Sequence, residues 1–326
     1  MSVRVSHAER LLISTIMTTN ASLLTADHFA VILGFEPENS VSATPALFPF
    51  GLQFPQGHEI ERHGRLKMFV SSFANDVPEP QQDRVYSQFC ARYLPATVNK
   101  FLDLPPATDQ LGPDEADLLQ EYEASNAYLE ILIQVQHLPY LYKYLRSSKE
   151  VAEPGKRLTL VLAARIAARV DCWDTMLQRW EQRDMERAGF YNSAAGCAIQ
   201  LLNTLCSYQI RTDDRTSIIP SATQERMLPV LTRWAVRYNG QFLGDVCQRM
   251  LSWFSGSRAF SRGANKIRKI AKGWEVCKLP ECNKKEDLKA CMRCQTVRYC
   301  CTDHQKRDWS GSTGSKHKQL CFQTEY

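Results

Sequence analysis

No run in this chain comes near the roughly 20 consecutive apolar residues that a membrane-spanning helix needs. The longest apolar-rich stretches are broken by charge, as at Arg165, Arg169 and Asp171. A secretory leader is poorly supported too. Leu11-Leu12-Ile13 and Ile16-Met17 form a short, interrupted run behind Glu9 and Arg10, and Ser6 with Glu9 reads as a helix capping box. The signatures of common catalytic loops are also missing: there is no Gly-x-Ser-x-Gly and no Gly-x4-Gly-Lys-Ser/Thr phosphate loop. His58-Glu59-Ile60-Glu61-Arg62-His63 is not a zinc-peptidase helix, because its histidines are five apart, about 140° around a helix, and cannot share one ion. No repeat of fixed period emerges.

What is present is ordinary globular composition: 326 residues, 44% hydrophobic and 23% charged, enough for about two domains and a sizeable core. The net charge of +5 hides an asymmetry. From Arg258 onward sixteen Lys and Arg face seven Asp and Glu, or +9, which leaves −4 for the rest. A basic end of this kind favours acidic partners or gives nonspecific, salt-sensitive contact with nucleic acid. Cysteine is unevenly spread as well. Of 12 Cys, seven lie between Cys277 and Cys321, while Cys90, Cys172, Cys197, Cys206 and Cys247 are scattered upstream. Scattered single cysteines read as small buried hydrophobes in a reducing compartment, so the chain is expected inside the cell, in nucleus or cytoplasm.

The fold expected is mainly α. Residues 1–80 hold a short helical start and an irregular segment with Pro37, Pro45, Pro49 and Pro55 between Gly34 and Gly64. Residues 81–255 read as a helical domain, which pairs of helices could build as an array, and its core needs no metal. Val85, Phe89 and Tyr93 mark a helix that Pro95 should end or kink. Gly112-Pro113-Asp114-Glu115 should start a helix running to about Gln136, and Tyr140 to Arg146 a short one. After the Pro154-Gly155 turn, Leu158, Leu162, Ile166, Val170, Trp173, Leu177 and Trp180 recur every three or four residues, the clearest helical stripe. Cys197 to Ile210 fits helix or strand. Ser221 to Gln224 suggests a capping box opening a helix that Pro229 should kink, and Phe242 to Phe254 is amphipathic. A basic linker at 256–273 leads to a small module at 274–326.

That module carries the chemistry. Its spacing is Cys277-x4-Cys282, x8, Cys291-x2-Cys294, x5, Cys300-x3-His304, x12, His317-x3-Cys321. Zn²⁺ prefers four tetrahedral N or S ligands, and close pairs supply two from one turn. Eight ligands in four pairs make two closed structural sites, which leave no position for water or substrate and so no hydrolytic centre. A disulfide-rich tail would not explain two histidines at ligand spacing.

These residues resemble the MYND-type zinc finger. The likeness extends to Leu288, Cys291-Met-Arg-Cys294, Val297-Arg298-Tyr299-Cys300, His304-Gln305-Lys306-Arg307-Asp308-Trp309 and His317-Lys318. It implies interleaved sites: Cys277, Cys282, Cys300 and His304 on one zinc, and Cys291, Cys294, His317 and Cys321 on the other. Spacing alone does not give this pairing. The first pair is wider than usual in that family, His304 stands where Cys is common, the connection from Ser310 to Lys316 is long, and Cys301 is a spare thiol beside a ligand. The resemblance further implies a protein-interaction module, not an enzyme, that takes short proline-rich peptides. Gln305 and Trp309 would line the groove, and Thr296, Val297, Arg298 and Tyr299 would offer a strand edge. Pro-x-Leu-x-Pro is the expected motif, and the chain contains one at Pro45-Ala46-Leu47-Phe48-Pro49, a candidate for self-interaction. The alternatives are a nucleic-acid-associated regulator using the basic C-terminal region, a RING-like ligase, whose ligand order fits less well, and a SET-type methyltransferase, for which no Asn-His-Ser motif is present.

Overall fold

A computed structural model describes residues 24–37, 40–41, 66, 70, 73–74, 77–103, 126–145, 154–208, 218–257, 276–311, 317–324 and 326. The protein is mainly α-helical, with a small two-stranded module near its C-terminal end. Helix α1 (Ala26–Ile32) lies on α2 (Glu79–Leu102), where Phe29 meets Phe89 edge-on at 6.3 Å between ring centres; Phe73, ahead of α2, meets the same ring edge-on at 5.7 Å. Helix α3 (Ala127–Val135) packs on α2, and α4 (Pro139–Leu145) lies against both α2 and α5 (Pro154–Glu181). Helix α5 forms a hairpin with α6 (Met185–Tyr208), as α7 (Ser221–Arg237) does with α8 (Phe242–Phe254). The two hairpins stack, α6 on α8 and α5 on α7.

Polar side chains lock this stack. Buried Asp174 on α5 accepts from the Trp234 indole at 2.8 Å and from Arg233 at 2.7 Å, both on α7. The Asn203 amide donates to the Val246 carbonyl at 2.9 Å, tying α6 to α8. Arg233 reaches Asp174 from the solvent side, so screening leaves that pair about 0.2–1 kcal/mol. Gly244 in the first turn of α8 allows the chain to fold back tightly: a Cβ there would lie 2.1 Å from the Tyr238 carbonyl oxygen. Cys90, Cys206 and Cys247 are buried, and burial pushes each thiol up, Cys247 to about 12, so they behave as hydrophobes.

Several boundaries differ from the sequence reading. Helix α2 continues seven residues beyond Pro95. Proline removes one hydrogen bond, and the buried stripe of Phe89, Tyr93, Leu94, Val98 and Phe101 holds the helix on both sides. Helix α7 also continues through Pro229, where a kink and not an end is expected. A single helix from Pro113 to Gln136 is excluded, because Asn126 caps α3, its side chain accepting from the Leu129 amide at 2.8 Å. The segment around Cys197 is helix, starting twelve residues earlier at Met185, where the Asp184 carboxylate accepts from the Glu186 and Arg187 amides. Ser221 is not a cap. Pro220 occupies that position, and Gln224 bonds back to the Ile219 carbonyl at 2.7 Å. The Ser6–Glu9 pair, the His58–His63 stretch, the Pro45–Pro49 motif and, from residue 258 on, the basic linker at 256–273 lie outside the described residues. Among the described residues no helix is long and apolar enough to cross a membrane.

Candidate metal centres and the finger surface

The small module is built on turns that present thiols. Strand β1 (Lys289–Ala290) pairs antiparallel with β2 (Arg298–Tyr299), Lys289 opposite Tyr299. Between them Cys291 to Cys294 form a knuckle, closed by Gln295 N–H to the Cys291 carbonyl and Cys291 N–H to the Val297 carbonyl, both 2.9 Å. Gln295 turns the chain with φ of 55°, a left-handed conformation that costs a non-glycine residue about 1 kcal/mol. Helix α9 (Thr302–Trp309) carries His304 in its first turn, and the short α10 (His317–Leu320) begins with His317 and delivers Cys321.

Two quartets converge: Cys277, Cys282, Cys300 and His304, and Cys291, Cys294, His317 and Cys321. Within each, the ligand atoms lie within 4.8 Å of one another. These are the interleaved sets that the family resemblance implies. The distances suit zinc. Tetrahedral bonds of about 2.3 Å to sulfur and 2.0 Å to nitrogen put ligand sulfurs roughly 3.8 Å apart and sulfur about 3.5 Å from nitrogen. At the first site Cys282 Sγ is 3.6 Å from Cys300 Sγ, and His304 Nδ1 is 3.5 Å from Cys277 Sγ and 3.2 Å from Cys300 Sγ. At the second, Cys291 and Cys321 are 3.7 Å apart and His317 Nε2 is 3.5 Å from Cys294 Sγ. Both quartets therefore fit a structural zinc ion, two per chain, each with four protein ligands.

The two histidines present different nitrogens, for a reason of reach. Nδ1 is two bonds from Cβ and Nε2 three, so His304 uses the atom that best replaces a cysteine sulfur close to the backbone. His317 uses the far nitrogen because its near one is engaged. The Tyr299 hydroxyl donates to Asp308 Oδ2 at 2.6 Å and stands 2.6 Å from His317 Nδ1. With the phenolic proton on Asp308, the ring must donate Nδ1–H to the phenolic oxygen, which leaves the Nε2 lone pair aimed at the metal position. Burial, and then the bond to Asp308, pushes the Tyr299 hydroxyl well above its usual range, so it stays a neutral relay. Thr296 donates to Cys294 Sγ at 3.2 Å. The bond from Cys321, then those from His317 and Thr296, hold the Cys294 thiol well below its usual range.

Of the residues expected to form a peptide surface, Gln305 and Trp309 are both half-buried, one turn apart on α9. The Trp309 ring meets His317 edge-on at 5.5 Å, so it covers the second metal site. Thr296, Val297 and Tyr299 are buried, Thr296 and Tyr299 serving the metal site, and Arg298 is exposed. The expected open strand edge is corrected at Arg298. Its carbonyl accepts from the Lys278 amide at 2.8 Å, and Cys277 bridges Arg298 on the side opposite β1, so the finger's own chain occupies that edge. Cys301 is exposed, sits at the start of α9 without a side-chain capping bond, and belongs to neither quartet.

Sequence reasoning missed Asp308 as a support for His317, nine residues further along the chain. It also missed the contacts from the helical domain. The Tyr140 hydroxyl on α4 donates to the Leu320 carbonyl at 2.6 Å and accepts from the Phe322 amide at 2.9 Å, and Tyr326 packs against Tyr144. No local pattern signals a contact across 180 residues.

Residues 277–321 match the family model described as MYND finger. Over 51 residues, 16% of the chain, the sequence is 41% identical to Egl nine homolog 1 of Homo sapiens. That stretch spans 10% of the relative's length. No solved structure matches the chain. The C-terminal region is therefore a MYND zinc finger, a class of module that in general mediates protein–protein interaction.

Proposed function

We propose that this protein is an intracellular adaptor whose finger takes short proline-rich peptides of the Pro-x-Leu-x-Pro kind, and that it works by binding, not catalysis. The observation that carries the reading is the pair Gln305 and Trp309, side by side on α9, with the indole seated on the ring of a metal ligand. A flat aromatic face suits proline rings, and a neighbouring amide can bond the peptide backbone, which proline pre-orders in an extended form. With the Arg298 edge occupied, side-chain contacts on α9 hold the peptide in place of strand addition. Four protein ligands at each metal argue against a catalytic centre.

The chain's own Pro45-Ala46-Leu47-Phe48-Pro49 would compete for this groove, in the same chain or a second copy. A fluorescence-anisotropy titration of a labelled Pro-x-Leu-x-Pro peptide tests both points. Binding by the full chain should weaken about tenfold in Gln305→Ala with zinc content unchanged. Leu47→Ala should strengthen it. Equal affinity for wild type and Gln305→Ala would overturn the groove assignment. Binding only to nucleic acid, lost steeply with salt, would favour the basic-surface alternative.

A further inference from the structure

Ligand Cys321 is gripped from both sides by the helical domain. The preceding carbonyl, of Leu320, accepts from the Tyr140 hydroxyl at 2.6 Å, and the following amide, of Phe322, donates to the same oxygen at 2.9 Å. Tyr140 is fully buried in the first turn of α4. The hold continues along the chain. The Thr324 amide donates to the Arg293 carbonyl at 3.1 Å, inside the Cys291–Cys294 knuckle, and the Thr324 hydroxyl to the Cys294 carbonyl at 3.4 Å. Lys143 on α4 donates to Thr324 Oγ1 at 3.2 Å and to the Tyr326 carbonyl, and its Nζ sits 4.2 Å above the Tyr326 ring. That ring meets Tyr144 edge-on at 5.3 Å, and its hydroxyl donates to the Cys90 carbonyl on α2 at 3.1 Å.

We infer that Tyr140 is a positioning residue for the second metal site, so that metal binding there and docking of the finger on α2 and α4 are one linked equilibrium. The physical reason is geometric. Zinc requires Cys321 Sγ to meet the knuckle thiols, and the same backbone placement of residues 320–322 is what Tyr140 recognises. A metal that favours the docked segment is itself favoured by docking, by the same factor. The first site has no such dependence: its ligands come from Cys277, Cys282, Cys300 and His304, none of which flanks the docked segment. Tyr140→Phe removes the hydroxyl's bonds to Leu320 and Phe322 and keeps the ring, and it replaces no metal ligand.

The test uses the full-length zinc-loaded chain, a chelator titration with N-ethylmaleimide as thiol probe, and mass spectrometry to read each cysteine. In Tyr140→Phe, Cys291, Cys294 and Cys321 should become reactive at about tenfold lower chelator than in wild type, the scale typical of outer partners of a metal ligand. Cys277, Cys282 and Cys300 should keep their midpoint. In wild type, emptying the second site should raise amide hydrogen exchange across residues 139–145. Should Tyr140→Phe fail to fold, Lys143→Met carries the same test, with a smaller shift confined to the same three thiols. Unchanged midpoints, an equal shift at both sites, or exchange at 139–145 that ignores the metal would each overturn the inference.

Discussion

The two metal sites have the same donors, three cysteines and a histidine, but different surroundings. At the first, Cys277 is buried while Cys282, Cys300 and His304 are half-exposed. Its histidine sits on an exposed helix turn and offers Nδ1. At the second, all four ligands are buried, and three are held by further groups: His317 by Tyr299 and Asp308, Cys294 by Thr296, Cys321 by the helical domain. Identical ligands in a tighter shell lose metal more slowly and transmit its loss further. The first site shapes the finger, and the second joins it to the rest of the protein.

The largest effect should come from Cys294→Ser, which removes a ligand of the tighter site. We predict that this variant binds one zinc instead of two by elemental analysis, and that limited proteolysis cuts near residues 317–324, released from α4. The corresponding change at the open site, Cys282→Ser, should also cost one zinc but leave that segment protected. Next comes the support of His317. Asp308→Asn should weaken zinc at the second site by about 10–100-fold in competition with a chromogenic chelator, with the first site unaffected. Equal weakening at both sites would show that the relay is a general fold element. The smallest effect belongs to Cys301→Ser. Exposed and outside both quartets, it should hold its zinc content and shift thermal stability by less than about 0.5 kcal/mol. Release of zinc would show that the quartets exchange ligands.

The metal sites were legible because ligand chemistry is local in type and spacing: four Cys/His pairs announce eight ligands, and the family likeness supplies their interleaving. The long helix α5 was legible through its apolar stripe from Leu158 to Trp180. Less visible was the first half of α6, where Ala194, Ala195 and Gly196 give little periodic contrast yet lie on a helix packed closely against α5 and α8. Neither in-helix proline ends its helix. Pro95 and Pro229 are strong local breakers, but tertiary burial on the opposite face overrides a single missing bond. Asn126 was overlooked as a cap because an acidic Pro-x-x start upstream offered a stronger local signal. The strand edge at Arg298 failed because its neighbour, Lys278, is distant in sequence. The grip of Tyr140 on Cys321 is of the same kind: each side chain is ordinary alone, and only the folded chain brings them together.

That one finger holds two zinc ions in unequal sites can be tested most directly by native mass spectrometry through a chelator titration. We predict a two-zinc protein at the start and a populated one-zinc intermediate in which Cys282 and Cys300 react with a thiol probe while Cys291, Cys294 and Cys321 stay protected. A single ion at the start, simultaneous release of both, or an intermediate protected at Cys282 and Cys300 instead would contradict it.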